Sequence, residues 1–199
     1  ITYFRKDIFN LVKNKQLFLK IIVSSIPVML VGYFLVKFNL IDQLRNIKTI
    51  GWMTIIFGIL LYLSDKCNLN NSIKNQFNYK SAIFIGMFQI LSLIPGVSRS
   101  GITITAARLL KFRRFDSAKI SFLLSIPTLG AVSLFGISSL LESGDLKFSI
   151  INLISIVLSF LFSYITIKYF LEFIKKFDLY IFVLYRLILG FLILILAYL

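Results

Sequence analysis

The polar chemistry of this chain is concentrated in one stretch, Pro95-Gly96-Val97-Ser98-Arg99-Ser100-Gly101-Ile102-Thr103, which interrupts apolar sequence with two glycines, two serines, a threonine and an arginine. An arginine at membrane depth is costly and belongs in a protein-lined cavity, where it meets an anion or a paired carboxylate. Pro95 and Gly96 stop an incoming helix, and Gly101 lets the backbone turn or come close to a ligand. The hydroxyls of Ser98, Ser100 and Thr103 add donors, and free N–H groups at the start of the following helix favour negative charge. Together these groups suit a phosphate oxyanion, which Arg99 can grip bidentately through its planar fork as lysine cannot. The plainer alternative is a helix break whose arginine pairs with a structural carboxylate.

The residues that must position this motif are those of a membrane protein. The chain has 199 residues, 58% of them hydrophobic and 21 of them phenylalanine, with a mean hydropathy of +0.91. Repeated long apolar runs read as an all-α, polytopic helical membrane protein. A formal charge of +14 then marks cytoplasmic links and contact with anionic membrane lipid, and no nucleic-acid-binding pattern accompanies it. Cys67 is the single cysteine, which excludes an intrachain disulfide and a cysteine metal cluster. The absence of histidine removes the commonest general base and metal ligand. No signal-peptide pattern is present, and Tyr3-Phe4-Arg5-Lys6-Asp7 reads as the charged exit of a helix, so an N-terminally truncated chain is expected.

After a basic juxtamembrane segment (residues 1–20), seven apolar segments follow: A, residues 21–36; B, 50–63; C, 81–94; D, 102–110; E, 120–141; F, 148–170; and G, 179–199. Trp52 and Tyr62 stand as interfacial anchors at the two ends of B. C and D flank the motif, and at about 1.5 Å per residue neither spans the roughly 30 Å hydrocarbon core alone. Ala82, Gly86, Gln89 and Ser92 form a small, polar stripe on C that either faces the motif or serves close helix packing. Pro127 and Gly130 should kink E. On F, Asn152, Ser155, Ser159, Ser163 and Thr166 form a stripe read as a helix-packing face or, alternatively, a groove lining. Arg186 in G reads as a residue that snorkels to an interface.

Positive charge decides how C and D run. As one broken crossing they would put Lys111, Arg113, Arg114 and Lys119 on the side opposite Lys66, Lys74 and Lys80. As a re-entrant helical hairpin they leave both groups on the cytoplasmic side with residues 1–20, Lys168, Lys175 and Lys176, so the positive-inside rule favours the hairpin. Irregular backbone at membrane depth is tolerated where it lines a cavity, which makes the motif the tip of a buried loop.

The motif, with Gln89 before it, Ser121-Phe122-Leu123-Leu124-Ser125-Ile126-Pro127 after it, Tyr3-Phe4-Arg5 at the start and Tyr185-Arg186 with Gly190 near the end, resembles the undecaprenyl-diphosphate phosphatase family, the bacitracin-resistance membrane proteins of bacteria. That resemblance covers essentially the whole chain. It implies an inverted-repeat architecture, in which 1–80 end repeat one and 81–199 form repeat two, with the re-entrant loop at 81–110, all within one integral membrane domain. It implies a hydrolase of the bacterial cytoplasmic (inner) membrane that converts undecaprenyl diphosphate to the monophosphate and inorganic phosphate. That reaction recycles the lipid carrier for peptidoglycan synthesis.

By position, the resemblance assigns catalysis to Arg99, Ser98 and Thr103. It assigns binding of the polyprenyl diphosphate to Gly96, Ser98, Arg99, Ser100, Gly101, Thr103 and Gln89. The family's glutamate-rich first signature, with its histidine, is missing here. The divalent cation (Mg or Ca) that the family implies is therefore expected to find its ligands in the missing N-terminal part and no metal site among these residues. This stretch by itself is expected to be inactive. All eight acids fall in links or at segment ends, away from Arg99. A secondary transporter or lipid flippase is the competing function, and a homo-oligomer is left open.

Overall fold

The long apolar runs are helical in the computed structural model, which describes residues 15–38, 45–66, 71–143 and 150–199. Readings that concern residues 1–14, Cys67, Asp145 and Lys147 lie outside the described residues. In order, α1 is Lys15–Lys37, α2 Ile47–Asp65, α3 the short Ile73–Gln76 and α4 Tyr79–Ile90, which ends in a tight turn at Leu91–Leu93. Then come α5 Arg99–Leu109, α6 Arg114–Ser143, α7 Ile150–Lys176 and α8 Tyr180–Tyr198. Five of them, α1, α2, α6, α7 and α8, are long and apolar enough to cross a membrane. The protein is thus a polytopic helical membrane protein.

Several helices outrun the apolar segments. Helix α2 reaches 19 residues, with Asn46 as N-cap accepting from Lys48 N at 3.0 Å; that is about 28 Å of rise. Helix α6 runs unbroken through Pro127. In the turns around that proline, Ser125 Oγ and Thr128 Oγ1 donate to the carbonyls of Phe122 and Leu124.

Helices α4 and α5, with 12 and 11 residues, rise only about 18 and 16 Å. Their outer ends are tied together. Asn71, ahead of α4, pairs with Phe112, just past α5, by donating to Lys111 O at 3.0 Å and accepting from Arg113 N at 3.1 Å. Asn71 Nδ2 also donates to Leu110 O at 2.9 Å. Lys111 turns the chain out of α5 with φ 63. At the other end of the unit, Gly96 lies against the backbone of Ile50. Ile50 is fifteen residues before Asp65 on α2, about 22 Å along that helix. The unit therefore goes deep into the bundle and returns to the end it left, as a hairpin.

The remaining helices share this polarity. Lys20 lies over the Tyr79 ring, Ser24 O meets Gly86, and Gly32 lies near Leu93, so α1 runs parallel to α4. Gly51 meets Leu194, Gly58 meets Arg186 and Tyr62 faces Tyr180, so α8 runs antiparallel to α2. These crossings are close because they use glycines: a Cβ on Gly190 would stand 2.5 Å from Ile55 Cγ1. Gly86 and the fully buried Ala82 use the small stripe of α4 for such contact with α1. The polar stripe of α7 behaves differently. Asn152, Ser155, Ser159, Ser163 and Thr166 are all exposed in this chain, and α7 buries only Leu171 and Ile174.

One end of the bundle thus carries Lys20, Lys66, Lys80, Lys111, Arg113, Arg114 and Lys175, and the other Lys37, Arg45 and Lys48. The positive-inside rule makes the first end cytoplasmic. With Cys67 replaced by serine, single cysteines introduced by Lys80→Cys and Arg113→Cys should both react with an impermeant maleimide from the cytoplasmic side only. Labelling from opposite sides would show that α4 and α5 form a crossing.

Candidate anion-binding site

Ile94 is extended, as the residue before a proline tends to be. Gly96 follows with φ +95, and a Cβ there would lie 2.5 Å from Ile50 O, so glycine is required both by conformation and by space. Ser98 then takes φ 64, a conformation that costs a non-glycine residue on the order of 1–3 kcal/mol. Its placement has a local return: Ser98 is the N-cap of α5, its Oγ accepting from Gly101 N at 3.3 Å and its carbonyl from Ile102 N at 3.0 Å. Ser98 and Ser100 are exposed, with hydroxyl oxygens 3.5 Å apart.

The loop is held from α8. Arg186 is buried, and its Nη2 donates to the carbonyls of Gly96 and Val97, each at 2.9 Å. Thr54 on α2 adds a longer bond to Gly96 O at 3.3 Å. The snorkelling role expected of Arg186 is therefore incorrect. Glycines at 58 and 101 leave room beside its side chain; a Cβ on Gly101 would stand 2.5 Å from Arg186 Nη1. Two loop carbonyls outside any helix supply acceptors that lipid could not. The signal available in the sequence was a cation several residues inside an apolar helix; its target was not.

A cleft of about 510 Å³ opens at this point. Gly96, Ser98, Ser100, Gly101 and Arg186 form its polar wall, and Ile50, Leu61, Phe182, Leu189 and Ile193 form much of the rest. Four of the expected binding residues are thus brought together, with Arg186 added. Arg99, Thr103 and Gln89 do not line this cleft. Thr103 is fully buried; its Oγ1 bonds to Arg99 O at 2.9 Å and Ser100 O at 3.1 Å, and shares a 2.7 Å hydrogen bond with Ser121 Oγ of α6. Arg99 is half-buried, and its Nε and Nη2 have no partner among the described residues. The fully buried Gln89 leaves both amide atoms without a partner, as does Ser24 its Oγ.

The arginines that do meet a carboxylate are Arg108 and Arg114. Buried Asp65 receives Arg108 Nη2 at 2.9 Å and Arg114 Nε at 2.9 Å, and also Leu179 N at 3.3 Å. Arg114 pairs in addition with Asp178, and Arg108 donates to Phe112 O and Asp65 O. This knot joins α2, α5, α6 and the start of α8 at the cytoplasmic end. Asp65, expected in a link, is the last residue of α2, and Arg108 of α5 is its partner though no sequence pattern marks it. No group of three or more His, Cys, Asp or Glu is gathered among the described residues, and Asp65 and Asp178 are committed to arginines. The described residues do not fit a divalent cation, and no step is routed through one.

Fold and site together define an integral membrane protein in which a helical hairpin presents a helix N-terminus and two serine hydroxyls to a cleft with apolar walls. A family model described as "Bacitracin resistance protein BacA" matches residues 1–192, and the chain belongs to that family. The "Undecaprenyl-diphosphatase" of Pelagibacter ubique (strain HTCC1062) is 48% identical over 200 residues, covering 100% of this chain and 77% of that relative. The protein of the same name from Saccharophagus degradans is 40% identical, covering 96% of this chain and 76% of its own length. That from Jannaschia sp. (strain CCS1) is 36% identical, covering 89% and 67%.

Two outcomes follow from the geometry. Arg186→Ala should leave the Gly96 and Val97 carbonyls without their donor and speed amide exchange across residues 98–101, read by hydrogen–deuterium exchange. Asp65→Ala should leave the buried Arg108 without its carboxylate, Arg114 keeping Asp178, and destabilise the protein by about 3–5 kcal/mol, read as a large fall in Tm in detergent.

Proposed function

We propose that this protein hydrolyses undecaprenyl diphosphate to undecaprenyl phosphate and inorganic phosphate, recycling the lipid carrier for peptidoglycan synthesis and conferring bacitracin resistance. It does so as a multi-pass protein of the bacterial cytoplasmic membrane. The observation that carries this reading is the amphiphilic cleft: phosphate-binding chemistry at one wall and aliphatic and aromatic side chains over much of the others. A diphosphate joined to a polyprenyl chain has the same division.

In the proposed site the exposed Ser98 and Ser100 hydroxyls and the first-turn amides of α5 receive phosphate oxygens. The positive end of the helix dipole favours the charge that builds there during phosphoryl transfer. Arg99 does not line this cleft, but its Nε and Nη2 have no partner among the described residues, and on that ground it is kept as the cation that meets the diphosphate. The fully buried Gln89, its amide atoms likewise unmatched, is kept in the site as the resemblance implies. Arg186 positions the loop, and Thr103 anchors the first turn of α5 to Ser121 so that the cap keeps its place. Water attacks the terminal phosphorus and the bridging P–O bond breaks. Undecaprenyl phosphate leaves with the bridging oxygen, and the water's oxygen departs in inorganic phosphate, its protons passing to that phosphate and to solvent. We assign 81–110 as a re-entrant loop that opens repeat two of an inverted pair, with 1–80 closing repeat one.

The test is phosphate release from undecaprenyl diphosphate in detergent, where these 199 residues alone should give none above a heat-killed control and co-expression with the family's glutamate-rich first signature should restore it. The Arg99 variants are read in that active form. Arg99→Ala should lower kcat by about 100-fold or more, the scale set by loss of one oxyanion donor. Arg99→Lys should recover little of it, because the charge returns without the fork. Near-normal turnover in either variant would remove Arg99 from the reaction.

A further inference from the structure

The cytoplasmic end of the bundle holds a second cavity of about 710 Å³, away from the hairpin tip. Ile174 and Val183 of one buried cluster line it. Its lining residues include Lys66, Arg108, Arg113, Arg114 and Lys175 against the two acids Asp65 and Asp178. Those acids are already taken: Asp65 by Arg108 and Arg114, and Asp178 by Arg114. Lys66 and Lys175 make no ion pair with any described residue. Asp116 offsets part of the charge of Arg113, so the excess of positive charge is carried by the two lysines.

Their placement distinguishes them from lysines on a solvated face. Lys66 Nζ lies 4.5 Å from the centroid of the Tyr62 ring and Lys175 Nζ 4.8 Å from that of Phe115. Both rings are walls of the same cavity. Resting an ammonium on an aromatic face steadies it while leaving its N–H donors open. A concave surface of one sign concentrates the field and raises the local concentration of anions. The cavity also lies at the end of the bundle where basic residues meet the anionic leaflet.

We propose that this cavity binds a phosphate-bearing anion through Lys66 and Lys175, with Arg113 at the rim. The shared chemistry is a phosphate or phosphate monoester, whether a lipid headgroup of the cytoplasmic leaflet or free inorganic phosphate. The site is independent of the hydrolytic cleft and stands whether or not that cleft hydrolyses a diphosphate.

The experiment is a thermal-shift titration of the purified protein with dioctanoyl phosphatidic acid, dioctanoyl phosphatidylcholine and inorganic phosphate at constant ionic strength. Phosphatidic acid should raise Tm saturably and phosphatidylcholine should not. Lys66→Gln with Lys175→Gln should weaken the apparent affinity by about tenfold or more, given the attraction each surface lysine exerts on an anionic headgroup. The paired Lys→Arg variant should retain it. Both lysines are exposed and outside the Asp65 knot, and the two single Lys→Gln variants, each with an intermediate loss, repeat the test if the double variant is unstable. Saturation by phosphatidic acid alone assigns the site to a lipid headgroup, and equal saturation by inorganic phosphate assigns it to the free anion. No saturable shift in the unsubstituted protein, or an unchanged response in the Lys→Gln variants, would overturn the proposal.

Discussion

A backbone that leaves helical geometry inside a membrane must have its polar groups satisfied by protein, since lipid offers nothing. Everything around residues 94–101 answers to that requirement. The carbonyls of Gly96 and Val97 receive the guanidinium of Arg186, the amide of Gly101 is capped by Ser98, and Thr103 takes up the carbonyls of Arg99 and Ser100. The solution is selective. Donors are supplied to the carbonyls, while the serine hydroxyls and the start of α5 stay at the cleft wall. A loop stabilised in this way has its dipoles fixed before any ligand arrives, which under the proposed function would preorganise it for negative charge.

Holding the tip requires holding the base. Burying charge is costly, and a buried ion pair is better regarded as fixing a geometry than as adding stability. The Asp65 knot fits that description: one carboxylate binds arginines from the end of α5 and the start of α6 and also accepts the amide that leads into α8. The same α2 helix that carries Asp65 at its cytoplasmic end touches Gly96 near its other end. Helix α2 therefore works as a ruler between the two ends of the hairpin. Glycines 51, 58 and 190 bring α8 close enough for Arg186 to reach the loop. The interhelical contacts rely on small residues, as expected where lipid supplies no hydrophobic drive between helices.

The apolar part of the cleft gives this arrangement its chemical sense. A phosphate site reached by water alone would not need Ile50, Phe182, Leu189 and Ile193 as neighbours. Under the proposed function those side chains would accept a hydrocarbon chain, while the polar wall would take the head group. The two regions proposed to bind anions differ in kind. At the tip, backbone dipoles, hydroxyls and arginines are held in fixed geometry. At the cytoplasmic end, lysines rest on aromatic rings around an open cavity.

By itself the sequence determined what depends on composition and on order along the chain. Long apolar runs meant membrane-crossing helices, and two short ones flanked by basic links meant a hairpin, because charge cannot be placed freely on both sides of a membrane. The Pro95–Thr103 stretch announced its helix break and its anion chemistry through residue types alone. Tertiary structure decided which side chains meet. Arg186 and Gly96 are ninety residues apart in sequence, as Arg114 and Asp65 are forty-nine, and no local periodicity encodes such pairs. Likewise Thr103, polar and close to the motif, turns its hydroxyl toward Ser121, because helical geometry sets its direction away from Ser98 and Ser100. An arginine in an apolar helix reads the same whether it snorkels or bonds to a loop; the carbonyls it meets exist only once the hairpin has folded against α8.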